Sequence, residues 1–218
     1  MAEQQGDRRV PRSLEHALIR WESRFSVGEY LFGERPNAYL ASKSGLLAKG
    51  SRALSIADGE GRNSVWLAQQ GLSVDAFDFS PTAVAKAERL ALSRGVRVGF
   101  HVCETFAWPW ERDVYDVVAA IFIQFASPDV RAKLFPLIAQ TLKPGGMLIL
   151  QGYRTEQLQY GTGGPPELEH LYTEALVREL LRDMDILELR CYDEHVDEGK
   201  GHSGMSALIG ALARKRQA

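Results

Sequence analysis

The 218-residue sequence predicts an α/β fold: a doubly wound, mostly parallel seven-stranded sheet with a C-terminal antiparallel hairpin. Short apolar runs alternate with amphipathic segments, which is typical of a parallel sheet with helices on both faces. The run YDVVAAIFIQF (115–125) is apolar almost throughout, as expected of a strand covered on both faces. The last two apolar runs are joined closely by the stretch from Gly199 to Gly204, which predicts the hairpin at the edge of the sheet.

The helices are predicted from apolar residues at helical spacing and from signals at their ends. Ser80-Pro81 and Ser127-Pro128 each place a hydroxyl cap before a proline in the first turn, and Gly95 ends the helix that begins at Ser80. These signals predict helices at 14–25, 37–49, 62–70, 81–94, 128–142 and 173–184. Strands are expected at 53–57, 73–79, 96–103, 115–125, 147–153, 185–196 and 206–215.

The composition predicts one domain of a water-soluble protein, with residues 13–218 in that domain and residues 1–12 as a mobile tail. A net charge of −2 gives no electrostatic footprint for nucleic acid, and no apolar run reaches the length of a membrane span. Cys103 and Cys191 lack metal-site spacing, so we expect no metal. Two thiols without a secretory segment favour a cytoplasmic location.

The turn after the first predicted strand is the expected cofactor loop, because ligands of such sheets lie beyond the carboxyl ends of the strands. Gly59 and Gly61 permit close backbone approach, and the next helix presents its N-terminus. Asp58 and Glu60 would repel the pyrophosphate of a dinucleotide, and Ser64 stands where the dinucleotide fingerprint has a third glycine. A cofactor with cationic groups is therefore favoured, and S-adenosylmethionine carries a sulfonium and an ammonium.

The ends of the second and third strands offer further contacts to such a cofactor. Asp78 can accept both ribose hydroxyls, and Phe79 can pack on an adenine. Glu104 can accept the exocyclic amine of adenine. The alternatives are that Asp78 caps the adjacent helix and that Glu104 is a solvated loop acid. A nicotinamide cofactor would use the same strand-end carboxylate.

With these residues in place, the chain resembles the small bacterial class I S-adenosylmethionine-dependent methyltransferases, close to the tellurite-resistance methyltransferase group, over roughly residues 21–215. The resemblance implies the Rossmann-like class I fold, an N-terminal helical lid over residues 13–50, and methyl transfer to a small-molecule nucleophile such as a thiol or a chalcogen oxyanion. It is carried by WESRFSVGEYLFGERPNAYL (21–40), IADGEGRNSVWLAQQG (56–71), VDAFDFSPTAVAKA (74–87), YDVVAAIFIQF (115–125), LKPGGMLILQGY (142–153) and EQLQYGTGGPP (156–166).

The residues expected to bind the cofactor lie in the lid, the glycine turn and the ends of the second, third and fourth strands. They are Tyr30, Ala57, Asp58, Gly59, Glu60, Gly61, Arg62, Asn63, Asp78, Phe79, Ser80, Cys103, Glu104, Thr105, Ile121 and Phe122. The ring of Tyr30 could lie over the sulfonium and attract it, or it could pack in the core.

Two departures from the family pattern bear on the site. Ser55 and Ala57 stand where the family has an acid and its first glycine, so we expect Asp58 or Glu60 to order the loop instead. His195 matches a histidine of the tellurite-type members, but Val196 occupies the position of their arginine, which argues against an oxyanion acceptor.

Four residues are candidates for catalysis. His195 and His202 are candidate bases, although a lone histidine is more often structural. Gln124 could position a substrate or simply be a polar strand end. Tyr153 precedes a Gly/Pro-rich segment, residues 154–172, that we expect to shape the substrate pocket at the rim of the site.

Three other functions stay open on the sequence. A non-catalytic S-adenosylmethionine-binding protein would keep the cofactor site without turnover, and a nicotinamide-dependent oxidoreductase is disfavoured by the acids in the turn. A protein or RNA methyltransferase is the third, and the absence of a basic stripe speaks against RNA. The expected partner is a small-molecule methyl acceptor, with neither nucleic acid nor membrane, and the chain is expected to be a monomer or a homodimer.

Overall fold

The computed structural model describes residues 12–217. Residues 1–11 of the expected mobile tail lie outside this range, and position 12 already begins the first helix. Within the described range, no helix is both long enough and apolar enough to span a bilayer.

A seven-stranded sheet forms the centre of the molecule, in the order β3-β2-β1-β4-β5-β7-β6. Strands β1 to β5 pair in parallel, and β7 is antiparallel to both of its neighbours. The predicted fold class and hairpin are thus confirmed, with β7 inserted between β5 and the outermost strand β6. The strands are β1 (Arg52–Ile56), β2 (Ser73–Asp78), β3 (Gly99–Val102), β4 (Tyr115–Ile121), β5 (Leu142–Tyr153), β6 (Met184–Asp197) and β7 (Ser203–Lys215).

Helices lie between the strands and at the N-terminus of the sheet domain. They are α1 (Arg12–Phe25), α2 (Ala38–Ala41), α3 (Arg62–Gln69), α4 (Pro81–Ser93), α5 (Pro128–Thr141), α6 (Gln157–Tyr160) and α7 (Glu174–Leu180). Helix α4 begins as predicted, because the hydroxyl of Ser80 accepts a hydrogen bond from the amide of Ala83 at 3.0 Å.

The apolar residues of the central strands alternate between two cores on opposite faces of the sheet. Leu54 and Val118 belong to the core on one face, whereas their neighbours Ala53 and Val117 belong to the core on the other. All four are at most 2% exposed. This double burial explains the near-continuous apolar runs of the sequence.

Several predicted elements are shorter in the structure, among them β3, which was expected at 96–103. The helix expected at 37–49 is only α2 followed by a 3₁₀ turn at 44–46, and Ser42 bonds back to the carbonyl of Tyr39, a contact that competes with helix propagation. Strand β4 stops at Ile121, because Phe122 has a φ of 54°. The helix expected to reach 184 ends at Leu180, and Met184 already belongs to β6.

Candidate active site

The turn between β1 and α3 is tightly wound. Ala57, Gly59 and Gly61 have φ values of 47°, 60° and 90°. A Cβ on Gly61 would lie 2.6 Å from the Cβ of Ala87, so only glycine lets α3 start this close to α4. Ala57 adopts the left-handed conformation where the family has a glycine, at a cost of about 1 kcal/mol.

Asp58 orders this turn from inside it. Its carboxylate accepts hydrogen bonds from the hydroxyl of Ser55 at 2.6 Å, from the amide of Ser64 at 3.3 Å and from the Ser64 hydroxyl. Burial raises the pKa of Asp58. The expectation that Asp58 or Glu60 would order the loop is thus confirmed for Asp58.

The second acid of the turn, Glu60, is also bound by protein groups. It forms an ion pair with Lys86 and accepts a hydrogen bond from the amide of Leu31 at 2.7 Å. The argument that Asp58 and Glu60 offer free negative charge to a cationic ligand is therefore corrected, because both carboxylates are buried and engaged.

Asp78, at the end of β2, connects the glycine turn to the start of α4. Its Oδ2 accepts from the amide of Gly59 and its Oδ1 from the amide of Ser80, both at 2.9 Å. The alternative of a helix cap is wrong for Asp78, because Ser80 caps α4 and Asp78 holds the amide of that cap residue while also contacting the turn. Burial raises the pKa of Asp78 to about 6, and the nearby charge of Asp58 adds to the shift.

The end of β3 lies beside Asp78. The amide of Cys103 donates to the carbonyl of Asp78 at 2.9 Å, and the side chain of Glu104 is exposed. Thr105 accepts a hydrogen bond at its carbonyl from the indole of Trp110. The predicted adenine-side residues therefore stand together at one edge of the sheet.

The N-terminal segment covers the glycine turn. Phe25 stacks on Trp21 with ring centroids 5.3 Å apart, and it lies 3.7 Å from where a Cβ of Gly59 would be. The hydroxyl of Tyr30 donates to the carbonyl of Lys86 at 3.1 Å, and its ring faces the Lys86 ammonium at 5.2 Å. The cation that Tyr30 meets in the structure is thus a lysine of α4.

The hairpin tip between β6 and β7 reaches over the same edge of the sheet. Glu198 accepts hydrogen bonds from Arg62 at 2.7 Å, from Asn37 at 3.0 Å and from the amide of Ala38 at 3.2 Å. Burial raises the pKa of Glu198, but His202 and the Arg62 guanidinium outweigh it and lower that pKa to about 2. Sequence reasoning missed Glu198, since no local motif links it to residues more than 130 positions away.

His202 lies beneath this tip between two aromatic rings. The ring centroids of Phe32 and Phe122 are each 4.4 Å from that of His202. Burial lowers the pKa of His202, and its Nδ1 stands 3.7 Å from Glu198 Oε2, too far for a hydrogen bond. The hydroxyl of Tyr153 is also buried without a hydrogen-bond partner among the described residues.

His195 does not join His202. It is exposed on β6 and lines a cavity of about 320 Å³ together with Phe122, Gln151 and Glu198. The two candidate bases therefore lie in different surroundings. Val196 is buried in the wall of the same cavity.

Gln124 does not face this cavity. Its amide nitrogen donates to the carbonyls of Tyr153 and His170 at 2.9 and 3.0 Å, and its oxygen accepts from the amide of Tyr153 at 2.6 Å. Gln124 is 4% exposed, and both polar atoms of its side chain bond to backbone groups. The expectation that it positions a substrate is corrected, and the alternative of a structural strand-end residue holds.

Strand order, terminal hairpin and glycine turn together define the class I methyltransferase fold. Residues 53–146 match the model of a methyltransferase domain family, and this range includes the glycine turn and Asp78. Among the residues that the structure describes, no group of three or more His, Cys, Asp or Glu side chains is placed to hold a metal ion.

The curated relatives that match include two uncharacterized proteins of Mycobacterium tuberculosis. One is 29% identical over 103 residues, covering 47% of this chain and 37% of that protein. The other is 32% identical over 88 residues, covering 40% of this chain and 32% of that protein. The chain thus aligns with about a third of the length of these relatives.

Solved structures show the same fold at low identity. A protein studied for the conversion of a disulfide bond into a thioacetal group during echinomycin biosynthesis has a TM-score of 0.72 at 16% identity, covering 94% of this chain and 92% of that one. TehB from Haemophilus influenzae has a TM-score of 0.68 at 17% identity, covering 83% and 62%. The N-methyltransferase NodS from Bradyrhizobium japonicum, in complex with S-adenosylhomocysteine, has a TM-score of 0.67 at 13% identity, covering 91% and 97%. These structures confirm the class I methyltransferase fold that the resemblance implies.

Proposed function

We propose that this protein is an S-adenosylmethionine-dependent methyltransferase that acts on a small-molecule nucleophile. The observation that carries the proposal is the bond between Asp78 and the amide of Gly59, which joins a strand-end carboxylate to a glycine turn inside a methyltransferase domain. A ribose held by that carboxylate would lie beside the turn and the N-terminus of α3.

The residues at this edge fit the cofactor. Each oxygen of Asp78 accepts one backbone amide, so lone pairs remain for two ribose hydroxyls. Exposed Glu104 can accept the adenine amine, and half-buried Phe79 can pack on the ring. Arg62 Nη1 is buried without a hydrogen-bond partner among the described residues, and the cofactor carboxylate would supply one.

The remaining proposed contacts to the cofactor run along the strand ends. The backbone of the turn would face the amino-acid portion, and the end of β4 would border the methyl group. This set keeps Tyr30, Ala57, Asp58, Glu60, Gly61, Asn63, Ser80, Cys103, Thr105, Ile121 and Phe122, with Asp58, Glu60 and Tyr30 acting by ordering the turn and the lid.

When bound, S-adenosylmethionine would supply an electrophilic methyl group. A nucleophile in line with the carbon–sulfur bond would take that group, and the thioether would leave. The chain's own work is alignment and exclusion of water. Phe25 covers the turn. His202 and Tyr153, which pack against Phe122 at the end of β4, each have a polar atom without a hydrogen-bond partner among the described residues. A neutral imidazole at His202, favoured by its lowered pKa, suits proton removal from an acceptor.

A small acceptor is supported by the closed shape of this region. The hairpin tip bonds to the lid through the amide of Gly201, which donates to the carbonyl of Leu31 at 2.9 Å. A net charge of −2 gives no attraction for nucleic acid. Two free cysteines favour a cytoplasmic location, and we propose a monomer or a homodimer.

The test is a calorimetric titration of the purified protein with S-adenosylhomocysteine, with NADH as the control ligand. We expect micromolar binding of S-adenosylhomocysteine and no binding of NADH. Binding of NADH alone, or of neither ligand, would overturn the proposal. Binding of S-adenosylhomocysteine without turnover of any thiol, amine or hydroxyl acceptor would indicate a non-catalytic binder.

A further inference from the structure

A cavity of about 320 Å³ lies between the hairpin and the segment that follows the lid. Its walls come from Pro36 and Ala38 on one side and from residues 194–198 of β6 on the other. Phe122, at the end of β4, and Gln151 of β5 close it toward the sheet. The volume suits a small organic molecule.

This cavity adjoins the cofactor edge without being part of it. Phe122 lines the cavity and also packs against His202, with ring centroids 4.4 Å apart. Glu198 lines the cavity and pairs with Arg62 at the start of α3. A ligand in the cavity would therefore approach the cofactor from the side of β4 and β5. That is the position of a methyl acceptor.

The lining combines an apolar wall with an excess of negative charge. Pro36, Phe122, Val196 and Leu208 form the apolar part. Its acidic side chains are Glu194, Asp197 and Glu198, against the single guanidinium of Arg35.

Two of these carboxylates are balanced by arginines. Asp197 pairs with Arg35 at 3.7 Å, and Glu198 pairs with Arg62 at 2.7 Å. Glu194 has no ion-pair partner among residues 15–217, so its charge is left to attract a cation at the cavity.

We propose that this cavity is the methyl-acceptor subsite and that it takes an amine with a small apolar body, entering as the ammonium cation. The inference rests on the proposed methyltransferase function and names its substrate class. Glu194 attracts the ammonium, the apolar wall takes the hydrocarbon part, and an anionic acceptor is excluded by the same carboxylates.

The ammonium gives one proton to the neutral imidazole of His202, whose ring lies 4.4 Å from that of Phe122 in the cavity wall. The freed nitrogen lone pair attacks the methyl carbon, and the carbon–sulfur bond breaks with its electron pair going to sulfur. The sulfonium becomes a neutral thioether, the nitrogen becomes a methylated ammonium, and His202 passes its proton to water.

Three probes of one shape test the charge preference: benzylamine, benzyl alcohol and benzoate. Their binding is measured by ligand-observed NMR on the full chain, both without and with saturating S-adenosylhomocysteine. We expect benzylamine to bind at least about tenfold tighter than benzoate, with benzyl alcohol between them. Benzoate binding as tightly as benzylamine in both conditions would overturn the inference.

Two substitutions locate the binding in the cavity. Glu194→Gln removes the unbalanced charge from an exposed position, and we expect about threefold weaker benzylamine binding with benzyl alcohol unchanged. The matched control is Glu88→Gln, at an exposed glutamate of α4 outside the lining. Ala38→Arg places a cation at an exposed lining position and should reverse the order of benzylamine and benzoate, whereas Ala38→Leu fills the same space without charge.

The two proposals fail separately. Failure of S-adenosylhomocysteine to bind contradicts the methyltransferase function. Normal binding of S-adenosylhomocysteine, with a benzylamine affinity that neither Glu194→Gln nor Ala38→Arg changes, contradicts the acceptor subsite alone.

Discussion

Glu60 and Lys86 form a buried ion pair that joins the glycine turn to the lid segment. Their side chains are 2% and 3% exposed. The Lys86 ammonium also donates at 2.6–3.2 Å to three lid carbonyls, those of Phe25, Val27 and Glu29. The backbone of the lid is therefore held by contacts to one charged pair. These contacts do not depend on the exposed side chains of the lid.

We expect Lys86→Met to lower the free energy of unfolding by about 3 kcal/mol or more, because it leaves the Glu60 carboxylate buried and unpaired. Urea denaturation measures this. The control is Arg178→Met, which breaks the exposed pair with Glu174 and should cost less than about 1 kcal/mol. Equal losses in the two variants would contradict a role for burial.

The lid anchor can be separated from global stability. Limited proteolysis under native conditions should cut the Lys86→Met variant within residues 26–31, where the lid has lost its donor. Adding Glu60→Gln removes the unpaired charge and should restore part of the lost stability. A double variant as unstable as the sum of the single variants would argue that the two residues act independently.

Asp78→Asn should weaken S-adenosylhomocysteine binding at least about tenfold, because a neutral amide replaces the acceptor of the ribose hydroxyls. Calorimetry measures the dissociation constant. Asp75→Asn, in the middle of strand β2 where Asp75 bonds to Arg52 and Tyr115, is the control and should leave the affinity unchanged. An unaltered dissociation constant in Asp78→Asn would remove Asp78 from the cofactor site.

The pH dependence of binding follows from the same carboxyl group. Burial raises the pKa of Asp78 from 3.8 to about 6, so its contribution to stability is present below pH 4 and is lost as the pH rises through 6. The cofactor acts in the opposite direction, since ribose hydroxyls bind the ionised form. Affinity for S-adenosylhomocysteine should therefore fall as the pH drops below about 6, with protons released on binding near pH 6. Calorimetry in buffers of different ionisation enthalpy counts these protons, and proton uptake would contradict the assignment.

Gly61→Ala should destabilise the fold by about 3 kcal/mol, since the new methyl group meets the Cβ of Ala87 and the left-handed backbone is strained. Gly95→Ala has the same left-handed backbone with nothing within 4 Å, so it should cost only about 1 kcal/mol. Chemical denaturation compares the two. Similar losses would mean that the close approach of α3 to α4 is easily relaxed.

His202→Gln should lower turnover of a proven acceptor by at least about a hundredfold while leaving the affinity for S-adenosylhomocysteine unchanged. His101→Gln, on edge strand β3, is the control with full turnover. A His202→Gln variant with the full rate would leave His195 as the remaining candidate base. Because burial lowers the pKa of His202, the rate of the natural protein should hold to a lower pH than an ordinary histidine allows.

Local signals predicted most of the fold correctly. Ser80 caps α4 as its position before Pro81 indicated, and the apolar run from Tyr115 forms a strand buried on both faces. The errors fall where tertiary context overrides local pattern. Phe122 is apolar like the strand before it, yet its φ of 54° ends the strand, and the apolar pattern carries no signal of that turn.

The site was predicted in part. The glycine turn and Asp78 were found because they are local features at strand ends. Glu198, Asn37 and Gln151 act together only after the hairpin folds over the N-terminal segment, with Asn37 donating to both of the others. Asn37 and Glu198 are 161 positions apart, so a local sequence pattern cannot predict their contact.

The sequence by itself determined the alternation of strands and helices, the glycine turn and the carboxylate at the end of β2, because spacing and capping chemistry are local. Only the tertiary structure decided which carboxylates are buried and paired with protein groups. Asp58 and Glu60 look like free acids in a loop, but folding buries them, and burial is tolerated only because Ser55, Ser64 and Lys86 supply partners. Glu194, which has no ion-pair partner among residues 15–217, lies in a cavity between the hairpin and the lid.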